Sequence, residues 1–180
     1  MKVKATIIDE QGINRSVTRL AHEILEHNKG SENIVVIGMR TRGEFLANRI
    51  HEKIKEIDNS SPELGVLDIG LYRDDYATNI NQEISVTEIH FDIADKDVIL
   101  VDDVLYSGRT VRAAMDALMD LGRPKTIQFC ALVDRGHRQL PIKADYVGKS
   151  IPTSINESVK VKMKEVDGED SVYLVDLTEE

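Results

Sequence analysis

Two adjacent carboxylates, Asp102 and Asp103, stand where an apolar run meets a polar turn. The four residues before them, Val98–Val101, are typical of a strand buried on both faces. In an open α/β sheet, ligands bind just beyond the carboxyl ends of the strands. Carboxylates at such a strand end need a partner or solvent. The position therefore predicts a ligand site, with an ordinary solvated strand end as the alternative.

The turn after these aspartates, Ser107–Thr110, opens a predicted helix. Gly122 followed by Pro124 is a stop signal for that helix. Its apolar residues recur at helical spacing: Val111, Ala114, Met115, Leu118 and Leu121. Unpaired amides at a helix N-terminus, together with its partial positive charge, hold phosphate groups. The acid pair and the turn together predict a site for a phosphorylated sugar with two free hydroxyls.

This order of strand, acid pair and small-residue turn resembles the signature with which type I phosphoribosyltransferases bind phosphoribosyl pyrophosphate (PRPP). The resemblance implies their α/β fold: a mostly parallel central sheet flanked by helices, a small hood and a C-terminal β-hairpin. It implies that Asp102 and Asp103 hold the ribose 2′- and 3′-hydroxyls. Mg²⁺ is the implied cofactor, bound through PRPP with both aspartates partly in its outer coordination sphere. The residues implied to cradle the 5′-phosphate are Val104, Leu105, Tyr106, Ser107, Gly108, Arg109 and Thr110.

A second loop, Gly38–Gly43, also follows a buried strand and precedes a helix. Two arginines between two glycines can bring guanidinium groups and main-chain amides onto an anion. The resemblance places the pyrophosphate loop of the family here. It implies contacts to pyrophosphate from the backbone of Arg40, Thr41, Arg42 and Gly43, and from the Arg42 side chain.

The polar segment 74–90 is long for a connection inside a compact domain, and such segments are often lids. In the family the corresponding loop closes over the reacting groups, which would exclude water. Here it is shorter than usual and lacks the usual lysines, and a simple surface connection is the alternative. Arg73, just before it, would add positive charge near the departing pyrophosphate. The implied catalytic residues are Asp102, Asp103, Arg42 and Arg73.

The remaining elements alternate in the way that favours a parallel sheet with helices on both faces. The predicted strands are Ala5–Asp9, Ile34–Gly38, Leu64–Leu71, Val98–Val101, Thr126–Val133 and Tyr146–Ser150. Besides the helix already described, the predicted helices are Glu10–Asn28 and Gly43–Ile57. The tail, Ser158–Val166 and Val172–Leu177, alternates as a β-hairpin does.

Length and composition fit one phosphoribosyltransferase domain over residues 1–180. No apolar run is long enough to span a bilayer, and the N-terminal apolar stretch is too short for a signal peptide. The single cysteine, Cys130, lies in an apolar run and is expected to be a small buried residue. We therefore expect a cytoplasmic protein with no membrane contact. The net charge of −9 argues against indiscriminate binding to nucleic acid.

The residue before the phosphate turn bears on the choice of base. Purine phosphoribosyltransferases usually carry an aspartate there, whereas this chain has Tyr106, which disfavours the alternative of a purine enzyme. Further motifs resemble a narrower family, the bacterial pyrimidine operon regulators that are also uracil phosphoribosyltransferases. These motifs lie between Val3 and Asp176, nearly the whole chain: Thr18–Glu23, Leu71–Asp75, Leu132–Arg138 and Ile151–Ser154. The resemblance implies UMP formation from PRPP and uracil, with mostly main-chain contacts to uracil from Asp134, Arg135, Gly136 and His137.

The narrower family also binds the leader RNA of the pyrimidine operon in response to UMP or UTP, which promotes transcription termination. The residues implied for RNA are Thr18, Arg19, His22, Arg138, Lys143 and Lys149. Thr18 and His22 are four residues apart, so they share one helix face. Lys143 stands where arginine is usual, and the tail after Lys164 carries seven acidic residues and no Lys or Arg. For these residues, the alternative is an ordinary solvated face. For the function as a whole, the alternative is an RNA-binding regulator with vestigial catalysis. We expect a homodimer or homotetramer.

Overall fold

The computed structural model describes residues 2–72 and 86–178 of the chain. The strands in those ranges are β1 (Lys2–Ile8), β2 (Ile34–Met39), β3 (Glu63–Leu67), β4 (Asp97–Leu105), β5 (Thr126–Asp134), β6 (Tyr146–Ser150), β7 (Glu157–Lys162) and β8 (Ser171–Asp176). The helices are α1 (Glu10–Asn28), α2 (Arg42–Asp58), α3 (Arg109–Leu121) and α4 (Lys164–Asp167), and a 3₁₀ turn covers Gly70–Tyr72. No helix in the described ranges is long and apolar enough to cross a membrane.

The larger sheet is parallel throughout and has the order β3-β2-β4-β5-β6. β2 and β4 are neighbours near its middle, with Gly38 opposite Val101. Because parallel strands end at one common edge, the loops after β2, β4 and β5 emerge side by side there. That edge therefore collects the three loops that the sequence predicts to bind substrate.

Helices cover both faces of this sheet, as predicted. α1 and α2 pack on one face against a cluster that includes Val36, Ile99 and Val101. α3 packs on the other face against Val35 and Leu100, which alternate with the first set along the same strands. Strands covered on both faces must be apolar at every position, which explains why all six residues of β2 are buried.

The ends of α1 lie at the predicted residues. The Asp9 carboxylate accepts a hydrogen bond from the Gly12 amide (2.7 Å), which satisfies one of the free donors of the first turn. At the other end Lys29 adopts the left-handed conformation, and the Gly30 amide donates to the Leu25 carbonyl (2.9 Å). Such a cap ends a helix because the chain turns away while the last carbonyls stay paired.

The smaller sheet is antiparallel, has the order β1-β8-β7, and corresponds to the expected hood. Its Val159 and Val172 belong to the same apolar cluster as α1 and α2. Arg49 of α2 adds a polar connection, because its guanidinium donates four hydrogen bonds of 2.7–2.9 Å to Glu165 and Asp170. The two sheets are therefore joined by both apolar packing and ion pairs.

Several predicted boundaries were wrong. β3 ends at Leu67 rather than Leu71, because its partner β2 ends at Met39, directly opposite Leu67. The strand predicted to reach Val166 ends at Lys162, because the amides of Val166 and Asp167 donate to the Met163 carbonyl and close a helical turn. β1 pairs with β8, so the predicted C-terminal hairpin is part of a three-stranded sheet.

Two predictions for single residues had different outcomes. Leu121, expected on the apolar face of α3, is 50% exposed because the helix ends there. Cys130 is fully buried in β5, and burial raises the pKa of its thiol. The expectation that Cys130 is a small core residue is therefore confirmed.

Candidate active site

The acid pair lies within β4, near its carboxyl end, because this strand continues to Leu105 rather than ending at Val101 as predicted. Asp102 is buried, and its Oδ1 accepts a hydrogen bond from the Asp103 amide (2.9 Å). Burial raises the pKa of the Asp103 carboxyl, and the positive charge of Arg42 opposes that rise. Two carboxylates so close together favour a cationic or hydroxyl-bearing ligand, because such a ligand offsets their poor solvation.

The loop Gly38–Gly43 lies directly against this acid pair. A Cβ at Gly43 would stand 2.6 Å from the Val101 carbonyl oxygen and 3.1 Å from Asp102 Cα, so only glycine allows this approach. The peptide between Arg40 and Thr41 is cis. The structure thus brings the predicted pyrophosphate loop to the predicted ribose-binding residues.

Both arginines of this loop have carboxylate partners. The Arg40 guanidinium donates to Glu88 (2.7 Å) and to the Val86 carbonyl (3.1 Å). Arg42 donates through Nε and Nη2 to the two oxygens of Asp167, at 3.0 and 2.8 Å. The loop is therefore held on both sides by acidic residues that pattern reasoning did not identify. Neither acid has a fixed spacing from the loop in the sequence, so no signal could have revealed it.

The predicted phosphate turn lines a cavity of about 270 Å³. Gly108 precedes α3 with a φ of +92°, a conformation that favours glycine. The first hydrogen bond of the helix runs from the Arg112 amide to the Gly108 carbonyl, so earlier amides are not needed by the helix. The residues lining the cavity are Val104, Leu105, Tyr106, Ser107, Gly108, Arg109, Thr110, Val111 and Gln139. The structure thus groups all seven predicted residues around one concave space.

The segment after β5 is tied to this turn by several hydrogen bonds. The amides of Gln139 and Leu140 donate to the Ser107 carbonyl, at 3.0 and 3.2 Å. Arg109 Nε donates to Gln139 Oε1 (2.8 Å). Arg138 donates to the Tyr106 carbonyl (2.9 Å). The phosphate turn is therefore connected to the predicted base loop, the segment Asp134–His137 and the residues that follow it.

Asp134 organises the predicted base loop. Its carboxylate accepts hydrogen bonds from the Gly136 amide (3.0 Å) and from Arg138, with which it forms a close ion pair. Burial pushes the pKa of Asp134 upward, but Arg138 and the Gly136 amide hold it below its usual value. Gly136 and His137 both have positive φ, of 78° and 59°. The side chain of Asp134 is thus occupied within the loop.

The side chain of Arg135, whose main chain is predicted to contact uracil, points into the protein. Only 7% of the residue is exposed, and its guanidinium donates to the Glu157 carbonyl (2.6 Å) and Ser158 Oγ (3.2 Å). Its face stacks on the Tyr106 ring, with 4.1 Å between Cζ and the ring centroid. The Arg135 side chain therefore supports the aromatic ring at the mouth of the phosphate turn, and only its backbone faces the loop.

The residues predicted for RNA fall into two groups. Thr18, Arg19 and His22 line one hollow on α1, and Arg19 and Lys149 line a neighbouring hollow. Arg19 also donates to the Val147 and Gly148 carbonyls, at 3.1 and 2.6 Å. Arg138 is instead bound to Asp134 beside the phosphate turn. Lys143 lies on the same segment as Arg138, so these two residues are not part of the surface on α1.

Arg73 and residues 74–85 of the predicted lid lie outside the described residues. Within residues 2–72 and 86–178, no group of three or more His, Cys, Asp or Glu side chains could hold a metal ion.

Residues 5–165 match the family model for the phosphoribosyl transferase domain. Three curated relatives, each named "Bifunctional protein PyrR", cover almost all of the chain. The protein from Oceanobacillus iheyensis is 59% identical over 97% of this chain and 98% of the relative. The protein from Deinococcus radiodurans is 58% identical over 96% and 95%, and that from Pelotomaculum thermopropionicum 55% identical over 98% of each. The chain belongs to the PyrR family.

Solved structures of similar fold support the architecture. A hypoxanthine-guanine phosphoribosyltransferase from Bacillus anthracis has a TM-score of 0.72 at 24% identity, covering 97% of this chain and 99% of the other. A hypoxanthine phosphoribosyltransferase from Trypanosoma cruzi has a TM-score of 0.73 at 16% identity, covering 97% of each chain. At such identities the likeness concerns the fold alone. The predicted type I fold, the phosphoribosyl-transfer activity and membership of the bifunctional PyrR family are confirmed.

Gly43→Ala tests the close approach of the loop to the acid pair. The added Cβ would meet backbone atoms of Val101 and Asp102, which cannot rotate away. We expect PRPP affinity to fall by about tenfold or more, because a displacement near 1 Å is costly at a positioned site. Titration calorimetry with PRPP and Mg²⁺ measures it. Gly70→Ala is the control, since among the described residues its Cβ would meet only the movable Asp68 side chain (3.2 Å). Equal affinity in both variants would contradict the prediction.

Asp103→Asn tests the cost of burying the acid pair. Because burial raises the pKa of Asp103, the folded state disfavours its ionised form. The amide carries no charge, so the variant should have a larger free energy of unfolding at pH 7. The difference should shrink as pH falls through the folded pKa toward about 4, where both states take up the proton. Denaturant titrations at both pH values measure this difference in stability. Asp116→Asn, at a half-exposed position of α3, is the control. A variant Asp103→Asn that is less stable than wild type at pH 7 would refute the prediction.

Proposed function

We propose that this protein transfers the phosphoribosyl group of PRPP to uracil, giving UMP and pyrophosphate. We also propose that it binds the leader mRNA of the pyrimidine operon when UMP or UTP is present, and so promotes transcription attenuation. One observation carries the enzymatic half: the acid pair, the glycine-flanked arginine loop and the phosphate turn meet at one edge of the sheet.

Each element then serves one part of PRPP. Asp102 and Asp103 bind the ribose 2′- and 3′-hydroxyls, because ionised carboxylates accept hydrogen bonds from both. The amides at the start of α3 bind the 5′-phosphate. The loop Gly38–Gly43 binds pyrophosphate with its amides and with Arg42. Cleavage of the C1–oxygen bond leaves charge on pyrophosphate, and these positive groups stabilise that charge.

Mg²⁺ fits this arrangement as a partner of the substrate. The protein offers two carboxylates, which are the hard oxygen ligands that Mg²⁺ prefers, and the ion commonly keeps several waters and binds with substrate phosphates. Asp102 and Asp103 are the residues that would hold it, partly through water. When bound, the ion neutralises charge on the pyrophosphate leaving group.

Uracil is the base that the loop after β5 supports best. Its N–H donors and carbonyl acceptors can be read by main-chain groups, and Asp134, Arg135, Gly136 and His137 are proposed to supply them. Tyr106, which is stacked on Arg135, offers an aromatic face rather than the carboxylate that purine enzymes use. Arg73 and the segment after it, outside the described residues, are proposed to close over the site.

The RNA-binding half is supported by the surface on α1. Thr18, Arg19 and His22 share one hollow with Arg15 and Lys53. Cations around a hollow bind phosphates with strong dependence on salt. Lys149 extends this surface, and Arg138 and Lys143 are proposed to reach RNA from the phosphate-turn side. We further propose a homodimer or homotetramer in the cytoplasm, where a chain with one cysteine needs no disulfide.

Turnover with five bases tests the enzymatic half. We expect UMP from uracil, with PRPP and Mg²⁺. We expect no nucleotide from hypoxanthine, guanine or adenine, because Tyr106 supplies no carboxylate to a purine. Orotate, a second pyrimidine, should also give no nucleotide. Asp102→Asn should lower turnover with uracil at least about a hundredfold, since it removes charge at the reacting sugar. Chromatography of the products measures both results, and Asp116→Asn is the control.

Two results would contradict this assignment. A purine nucleotide product would mean that Tyr106 does not set the base. UMP production by Asp102→Asn at the wild-type rate would mean that the acid pair does not bind the reacting sugar. If wild-type protein binds UMP yet makes no nucleotide from any base, the protein is a regulator with vestigial catalysis.

His22→Ala and Lys149→Ala test the RNA surface. We expect the lysine variant to weaken leader RNA binding in the presence of UMP and to reduce the slope of log affinity against log salt by about one. The His22 variant should also weaken binding, because its side chain lines the same surface. Filter binding at several salt concentrations measures both.

These two residues are better test sites than Arg19, which holds the Val147 and Gly148 carbonyls at 3.1 and 2.6 Å, whereas Lys149 makes one longer contact to the Ile7 carbonyl (3.3 Å). Lys160→Ala, an exposed lysine on β7, is the matched control. UMP formation should be unchanged in all three variants. Equal loss of RNA binding in the control, or equal loss of turnover and RNA binding, would refute a separate RNA surface.

A further inference from the structure

The ion pair between Arg42 and Asp167 joins the pyrophosphate loop to the hood. Arg42 stands at the start of α2, and Asp167 is the last residue of α4, between two strands of the smaller sheet. The contact is bidentate, with Nε and Nη2 each donating to a separate carboxylate oxygen at 3.0 and 2.8 Å. Such a pairing fixes the plane of a guanidinium as well as its position.

Asp167 is itself held in place. Its Oδ2 also accepts a hydrogen bond from the Met163 amide (2.9 Å), so the carboxylate cannot simply follow the arginine. The side chains of Arg42 and Asp167 are 29% and 16% exposed, which limits screening by water. Hydrogen bonds from Arg42 hold the pKa of Asp167 below its usual value, so the pair is fully charged at neutral pH.

The other edge of the same guanidinium makes no hydrogen bond to the residues that the structure describes. The Asp167 carboxylate accepts hydrogen bonds from Arg42 Nε and Nη2, and within the described ranges no group accepts one from Arg42 Nη1. The charge of Asp103 acts on Arg42 in addition to that of Asp167. Arg42 thus lies between an acid of the hood and an acid of the candidate active site, with donors left for an anion.

We propose that Asp167 is a positioning residue, which holds one edge of Arg42 so that the remaining donors face the pyrophosphate group of PRPP. This inference rests on the proposed phosphoribosyl transfer and extends it to a residue of the hood. Pre-positioning matters because an arginine that must first be ordered loses side-chain entropy on binding. Without Asp167 the guanidinium would remain charged but would be free to move.

This role predicts a selective kinetic effect. Asp167→Asn should lower kcat/KM for PRPP, and for pyrophosphate in the reverse reaction, by about tenfold, because a misplaced group at a positioned site is costly. The KM for uracil should stay within about twofold of wild type, since the base loop makes no contact with this pair. A general loss of structure would instead affect both substrates.

The chain offers a matched control on the same short helix. Glu165, two residues before Asp167, pairs with Arg49 (2.7 Å), which lies about two turns further along α2 and outside the loop. Glu165→Gln therefore removes an equal charge from α4 without releasing Arg42. Steady-state kinetics in both directions, with thermal unfolding of each variant, compare the two. Asp167→Glu restores the charge, and it should recover pyrophosphate affinity at least in part.

Pyrophosphate binding separates this inference from the proposed function. Titration calorimetry with pyrophosphate and Mg²⁺ needs no turnover, so it gives an answer even if wild-type protein makes no UMP. Weaker binding in Asp167→Asn than in Glu165→Gln supports the positioning role. Equal affinity in the two variants would overturn it, and so would tighter binding in Asp167→Asn, because Asp167 would then be a competitor of pyrophosphate for Arg42.

Discussion

The lateral pairing of β2 with β4 is the constraint on which the rest of the site depends. Its parallel register sets Gly38 opposite Val101 and so delivers the arginine loop to the acid pair. The approach is close enough that Gly43 has no room for a Cβ. A shift of one residue in this register would reverse the faces of β4 and carry both aspartates away from the loop. Fold and site are therefore fixed by the same backbone hydrogen bonds.

The site also shows how an acidic chain keeps cations for an anionic substrate. Three guanidinium groups at the site are paired with carboxylates: Arg40 with Glu88, Arg42 with Asp167 and Arg138 with Asp134. These partners prevent the arginines from being buried without compensation. They also restrict the directions in which the guanidinium groups can face. Order at the site thus comes from local pairing and not from a general positive potential.

Sequence patterns predicted most of the fold and most of the loops, for identifiable reasons. The edge position of the acid pair, the helical spacing in α3 and the end of α1 at Lys29 all follow from local rules. The end of β3 and the turn at Val166 depend on where partner strands stop and on a local hydrogen bond, which no periodicity records. The burial of Arg135 beneath Tyr106 and the role of Gln139 are tertiary contacts between distant segments. Their residue types give no sign of them.

The smaller sheet has a consequence for how copies of this protein can meet. Within the described residues its order leaves β1 and β7 as edge strands, and an edge strand offers backbone donors and acceptors to a further strand. Both edges carry lysines, Lys2 and Lys4 on one and Lys160 and Lys162 on the other, whereas the central strand β8 has none. Charged side chains of this kind discourage a further strand from adding to the edge. Assembly by continuation of this sheet, the route toward open-ended aggregates, is thus disfavoured by the sequence of the hood itself.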